Sequence, residues 1–163
     1  MSSCMPIMII GVGNLDRGDD AAGRLVARAL RQRLPPQVSV CEMSGEATGL
    51  LAKMTQAPTV FFIDACMSGG QAGDIQRIDL GHQALPAQQP DMSSHGFGLM
   101  AAIDLARILG QLPQTCIIYA IEGENYAFGA AVSSSVQQAI EQVVFRIEDE
   151  IVNFIPMKGK EHA

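Results

Sequence analysis

Three segments limit the fold more than any other feature of the chain: MPIMIIGV, PTVFFIDAC and TCIIYAIEG. Each holds a short apolar run without polar alternation. A strand of this kind has hydrocarbon on both sides and must lie in a sheet covered on two faces. The segments between them supply the covers. In DDAAGRLVARALRQRL, Ala22, Leu25, Val26, Ala29 and Leu30 mark one helical face, with arginines opposite. VSVCEM reads as a second strand, SGEATGLLAKMTQ as a loop and short helix, and HGFGLMAAIDLARILG as a helix. DIQRIDL alternates, as a half-exposed edge strand does. Ser133 is placed to cap a last helix with the face Val136, Ile140, Val143, Val144, Ile147, Ile151 and Phe154. The order β-α-β-α-β-β-α-β-α predicts a three-layer α/β/α sandwich. Its sheet is mostly parallel and twisted, of about five strands and one antiparallel edge strand.

The 163 residues suit one domain over 1–163, with no repeat, low-complexity tract or linker. Net charge is −6 and the arginines are scattered over predicted helices, so no nucleic-acid footprint is present. Cys4, Cys41, Cys66 and Cys116 show no CxxC spacing. They read as free thiols of a reducing cytosol, with neither a zinc site nor a disulfide framework. The N-terminus has no basic region before its apolar run, and no run reaches transmembrane length, so a cytoplasmic protein without membrane partners is expected. A monomer is the default expectation, with the tail MKGKEHA frayed.

Ligands of open parallel sheets bind beyond the carboxyl ends of the strands. Polar residues at those ends are Asn14, Asp16, Asp19 and Asp20 after the first strand, Glu42 and Ser44 after the second, Asp64 as the end of the third, and Glu122 as the end of the last long one. Ser93, Ser94 and His95 precede the third long helix. A dinucleotide fingerprint is half present. Gly11 and Gly13 fit G-x-G-x-x-G, and Glu42 could imitate the ribose-binding acid, but Asp16 stands at the third glycine and repels a pyrophosphate. No GK[ST] P-loop and no G-x-S-x-G elbow occur. Carboxylate oxygen with imidazole nitrogen suits a borderline divalent cation such as Zn²⁺ or Ni²⁺, and Asp20, Asp64 and His95 would leave coordination positions open. Structural roles compete. One of Asp19 and Asp20 is expected to cap the helix of residues 20–33, Asp64 could bond loop amides, and His95 could be a cap or a solvated residue. Glu122 could satisfy backbone in EGENYAFG, Asp16 is expected in solvent, and His82 and His162 read as surface residues. A Cys66–His95 nucleophile is conceivable, but its flanks match no signature.

GVGNLDRGDDAAG, FFIDAC, SSHGFGL and GAAVSSSVQQAI, in this order and spacing, resemble the hydrogenase maturation endopeptidases, nickel-dependent proteases that trim the C-terminus of [NiFe]-hydrogenase large subunits. The resemblance runs over nearly the whole chain, and its most specific part is the opening glycine–aspartate motif. It implies an α/β/α sandwich and a metal-binding set formed by Asp20, Asp64 and His95. It also implies a large-subunit precursor as partner. Nickel, carried by that substrate, would serve as the mark that is read before a C-terminal peptide is cut after a His or Arg. Metal-assisted hydrolysis is the implied chemistry, with Asp19 or Glu42 as a candidate base.

Departures lie in the loops. Ala21 replaces a glycine common in the family, and Asp16 replaces a large apolar residue. EMSGEATG stands for a Gly-Gly-Thr/Ser-like loop, and Glu122-Gly123 for a Gln-Pro. These bear on which hydrogenase is the partner more than on the catalytic class. Two other readings remain: a nickel-dependent module that binds and checks the large subunit without cutting it, and a dinucleotide-binding domain.

Overall fold

In a computed structural model, residues 6–81 and 97–155 are described. The strands are β1 (Ile7–Val12), β2 (Val38–Met43), β3 (Thr59–Cys66), β4 (Ile75–Asp79) and β5 (Thr115–Glu122). The helices are α1 (Ala22–Arg33), α2 (Ala47–Met54), α3 (Phe97–Ile108) and α4 (Ser134–Phe154). The five strands form one sheet in the order β2-β1-β3-β5-β4. β1 is parallel to β2 and β3, β3 is parallel to β5, and β4 runs antiparallel to β5. This is the expected α/β architecture, with DIQRIDL as its antiparallel edge.

The apolar runs are explained by the two faces. Neighbouring strand residues point to opposite sides. Ile9, Phe61 and Tyr119 pack under α1 and α4 with Val26, Leu30, Val143 and Ile147. Ile10, Phe62 and Ile118 pack under α2 and α3 with Leu50, Met54, Leu99 and Ile103. Each buried Phe stabilises the fold by about 1.5–3 kcal/mol relative to an exposed one. On the edge strand β4, Arg77 Nε donates to Glu150 of α4 at 3.1 Å, and the Tyr119 hydroxyl donates to the same carboxylate. Among the described residues no helix is long and apolar enough to cross a membrane.

Three local expectations are corrected. The helix of residues 20–33 begins at Ala22, because a 3₁₀ turn, Gly18–Ala21, comes first and holds both aspartates. The buried face of α1 includes Gly23 and Ala27, while Leu25 and Ala29 are only partly covered. Its first turn lies flush on the sheet: a Cβ on Gly23 would stand 2.2 Å from the Ile63 carbonyl oxygen, and one on Gly11 would stand 2.3 Å from that of Gly23. On α4, Ala139 is buried, Ile140 is half-buried, and Phe154 sits at the rim with its ring edge-on to Phe61, centroids 6.0 Å apart.

Candidate active site at the carboxyl edge

From the β1–β3 pair the sheet grows in opposite directions, toward β2 on one side and β5 on the other. A crevice opens beyond the carboxyl ends at such a switch point. Both strands deliver an aspartate there, Asp20 from the turn after β1 and Asp64 from within β3. The turn is closed by its own atoms. Gly13 N–H donates to the Met43 carbonyl at 3.0 Å, Asp20 N–H to the Arg17 carbonyl at 3.0 Å, and Asn14 N–H to Asp20 Oδ2 at 3.1 Å. A Cβ on Gly13 would lie 1.9 Å from the Asp20 carbonyl oxygen, so this glycine lets the chain fold back on itself. Asp20 and Asp64 are each 1% exposed. Asp64 Oδ1 accepts the Ala65 N–H at 2.9 Å. Burial, and then the neighbouring Asp20 charge, push the Asp64 carboxyl well above its ordinary range.

The other carboxylates at this edge have structural partners. Asp19 is fully buried and accepts from Glu124 N–H (2.9 Å), Asn125 N–H (3.0 Å), Ser133 N–H (2.7 Å) and the Ser133 hydroxyl (2.8 Å). Burial alone would raise its pKa, but these hydrogen bonds outweigh it and hold the carboxyl low. Glu42 is met by Arg24 at 3.1 Å, Arg28 at 2.9 Å and Arg31 at 3.2 Å, all on α1. Against the cost of burial, these guanidinium groups hold its pKa down. Glu122 accepts the Cys66 thiol at 3.0 Å and the Ser68 hydroxyl at 2.8 Å, and it too is held low despite burial.

Several candidate roles are corrected by these partners. Asp19 and Glu42 are committed to structure, which removes both as general base, and Glu42 as a ribose-binding acid. Neither Asp19 nor Asp20 caps α1, whose N-cap is Ala21 without a side-chain bond. Ser133 does occupy the N-cap position of α4, but its hydroxyl is spent on Asp19. Glu122 serves Ser68 across the sheet, not its own loop. Burial, then the bond to Glu122, drive the Cys66 thiol upward, so it is a poor nucleophile. Cys41, Cys66 and Cys116 are free, and Asp16 is exposed as expected.

Tyr126 was not singled out by the sequence. Its hydroxyl donates to the Cys66 carbonyl at 2.7 Å, and burial, then the Cys66, Asp19, Asp20 and Glu122 charges, raise its pKa. Only its place in the loop after the last strand could have marked it.

Cys4, His82, Ser93, Ser94, His95 and His162 lie outside the described residues. Among the described residues no three potential ligands come together, and the carboxyl edge contributes the Asp20–Asp64 pair. Helix α3, which begins two residues after His95, starts at this same edge: a Cβ on Gly98 would fall 1.5 Å from the carbonyl oxygen of Gly45, just beyond β2. A cleft of about 600 Å³ lies at the opposite end, beside Pro58 before β3 and Gln114 before β5. Among the described residues no titratable side chain lines it.

A family model described as hydrogenase maturation protease matches residues 24–150, a span that includes Asp64 and His95 and starts just after Asp20. The hydrogenase 2 maturation protease of Escherichia coli K12 is 27% identical over 162 residues, covering 95% of this chain and 98% of its own. The hydrogenase expression/formation protein HoxM of Cupriavidus necator is 25% identical over 143 residues, covering 85% of this chain and 70% of its own. Among solved structures, the E. coli hydrogenase maturating endopeptidase HybD superposes with TM-score 0.75 at 21% identity, covering 91% of this chain and 93% of its own. The [NiFe] hydrogenase maturation protease HycI of Thermococcus kodakarensis gives 0.68 at 25% identity with the same coverages.

Proposed function

This chain belongs to the hydrogenase maturation protease family, and we propose on that premise that it removes the C-terminal extension of a nickel-loaded [NiFe]-hydrogenase large-subunit precursor. It is a peptidase that acts in hydrogenase maturation. The nickel mark, the precursor and the site residues are our reading, as are the cytoplasm as workplace and the monomer as working unit.

One observation carries it: two carboxylates, each 1% exposed, stand close enough for the charge of one to raise the proton affinity of the other. A like-charged buried pair is costly to the fold and is relieved by a cation. Hard oxygen donors with one imidazole suit nickel, so the donor set Asp20, Asp64 and His95 fits the ion carried by the substrate. These three side chains would dock the precursor by completing the coordination of its nickel. When bound, the metal supplies a Lewis acid that polarises the scissile carbonyl or acidifies a water. The chain itself holds Asp20 in a closed turn and Asp64 in a rigid central strand, which fixes both carboxylates before the substrate arrives.

The test is the mass of the unprocessed large subunit after mixing with this protein, with and without nickel loaded. Loss of a C-terminal peptide from the nickel-loaded sample alone supports the reading. Nickel-dependent complex formation without cleavage would replace it with a checkpoint role, and cleavage regardless of nickel would remove the mark.

A further inference from the structure

Resting on the endopeptidase reading, we propose that residues 123–132 form a substrate-reading loop in which Phe128 makes an apolar contact with the precursor polypeptide, and that Asp19 is the positioning residue that holds the loop in place. The loop has no regular structure, yet it is fastened on three sides. Asp19 takes the N–H groups of Glu124 and Asn125 at its start, and the N–H and hydroxyl of Ser133 just past its end. Asp19 N–H returns a bond to the Asn125 carbonyl at 2.9 Å. Gly129 N–H donates to the Asp16 carbonyl at 2.7 Å, which ties the middle of the loop to the turn that leads to Asp20. Tyr126 bonds the Cys66 carbonyl, two residues beyond Asp64. The loop is thus anchored to both segments that supply the carboxylate pair.

Between these anchors Phe128 is 80% exposed, and Met67, next to the anchored Cys66, is 51% exposed. Leaving a Phe in water forgoes the stabilisation that burial of its ring would give. An aromatic carried on an anchored loop spares a partner the cost of ordering that loop. The occupant is the substrate chain, because a polypeptide approaching Asp20 and Asp64 comes to the same rim. The exposed Ile108 and Leu109 stand apart at the end of α3, where no carboxylate pair marks a destination.

Steady-state cleavage of nickel-loaded precursor by the full-length protein tests this. Phe128→Ala is expected to raise KM about 10-fold with kcat unchanged. Asp19→Asn puts an amide among four donors and should raise KM similarly. The double variant should be no worse than the worse single one, because both changes disable one contact. Val152→Ala, an exposed position on α4, should leave both constants alone. If Asp19→Asn does not fold, Ser133→Ala removes one donor and is used in its place. An unchanged KM in Phe128→Ala overturns the loop's role, and multiplicative effects in the double variant overturn the link to Asp19. Cleavage by the wild type that is lost in Asp20→Ala but untouched in Phe128→Ala sinks this inference alone. No cleavage by the wild type sinks the function beneath it.

Discussion

The surroundings of Asp19 and those of the Asp20–Asp64 pair lie one residue apart, and the fold treats them in opposite ways. All three carboxylates are out of water. Around Asp19 the fold gathers four donors from residues 124–133, and the acid is held ionised. At the pair it brings two carboxylates together and raises the pKa of Asp64. The first arrangement serves stability. The second opposes it, as a site prepared to bind a cation would. Equally buried aspartates at one sheet edge can therefore hold opposite positions in the balance of stability and function.

The strongest test of that contrast is substitution within the pair. Asp20→Ala and Asp64→Asn should each lower precursor cleavage at least about 100-fold in a mass-resolved assay. Asp64→Asn should at the same time raise the melting temperature, because it removes an acid whose ionised form the native state disfavours. A fall in melting temperature would break the comparison.

Asp19→Ala should do the reverse. It strands buried N–H donors at a cost of about 3 kcal/mol, which lowers the melting temperature by roughly 10 °C. A variant as stable as the wild type would remove Asp19 from the structural side.

The sign of the pH response separates the two acids further. The folded pKa of Asp64 is raised, so its contribution to stability is full below the ordinary carboxylate range and declines as pH rises through the raised value. The folded pKa of Asp19 is lowered, so its contribution is present above that range and is lost as pH falls through the lowered value. Nickel docking on Asp64, as proposed, would displace its proton, so cleavage should gain an acid limb above the ordinary carboxylate range. A limb at the ordinary value would mean that the pair does not titrate as a pair.

The smallest effect belongs to Glu42→Gln. Its three arginines are partly exposed, with side chains 26–49% accessible, so solvent screens the attraction. The loss should be about 1 kcal/mol, weaker at high salt, with cleavage unchanged.

What the sequence disclosed follows the same division. Apolar runs without alternation specified a doubly covered sheet, and Asp20 and Asp64 follow from their places at the ends of such runs. The split between Asp19 and Asp20 could not be read locally, because it depends on amides 105 to 114 residues away. The commitment of Glu42 depends on arginines that α1 lays across β2, and the start of α1 depends on a 3₁₀ turn bonded to Asn125. His95 rests on its motif alone and lies outside the described residues.

A loop sewn down at both ends by a single carboxylate behaves as a cassette. Its seams, Glu124–Asn125 and Ser133, belong to the frame with Tyr126 and Gly129, and the other residues between them are free to diverge in sequence. A lineage could thus exchange client proteins by redrawing a few residues around Phe128, leaving the hydrolytic apparatus as it was. A chimera cut at those seams would transplant a recognition surface as one piece.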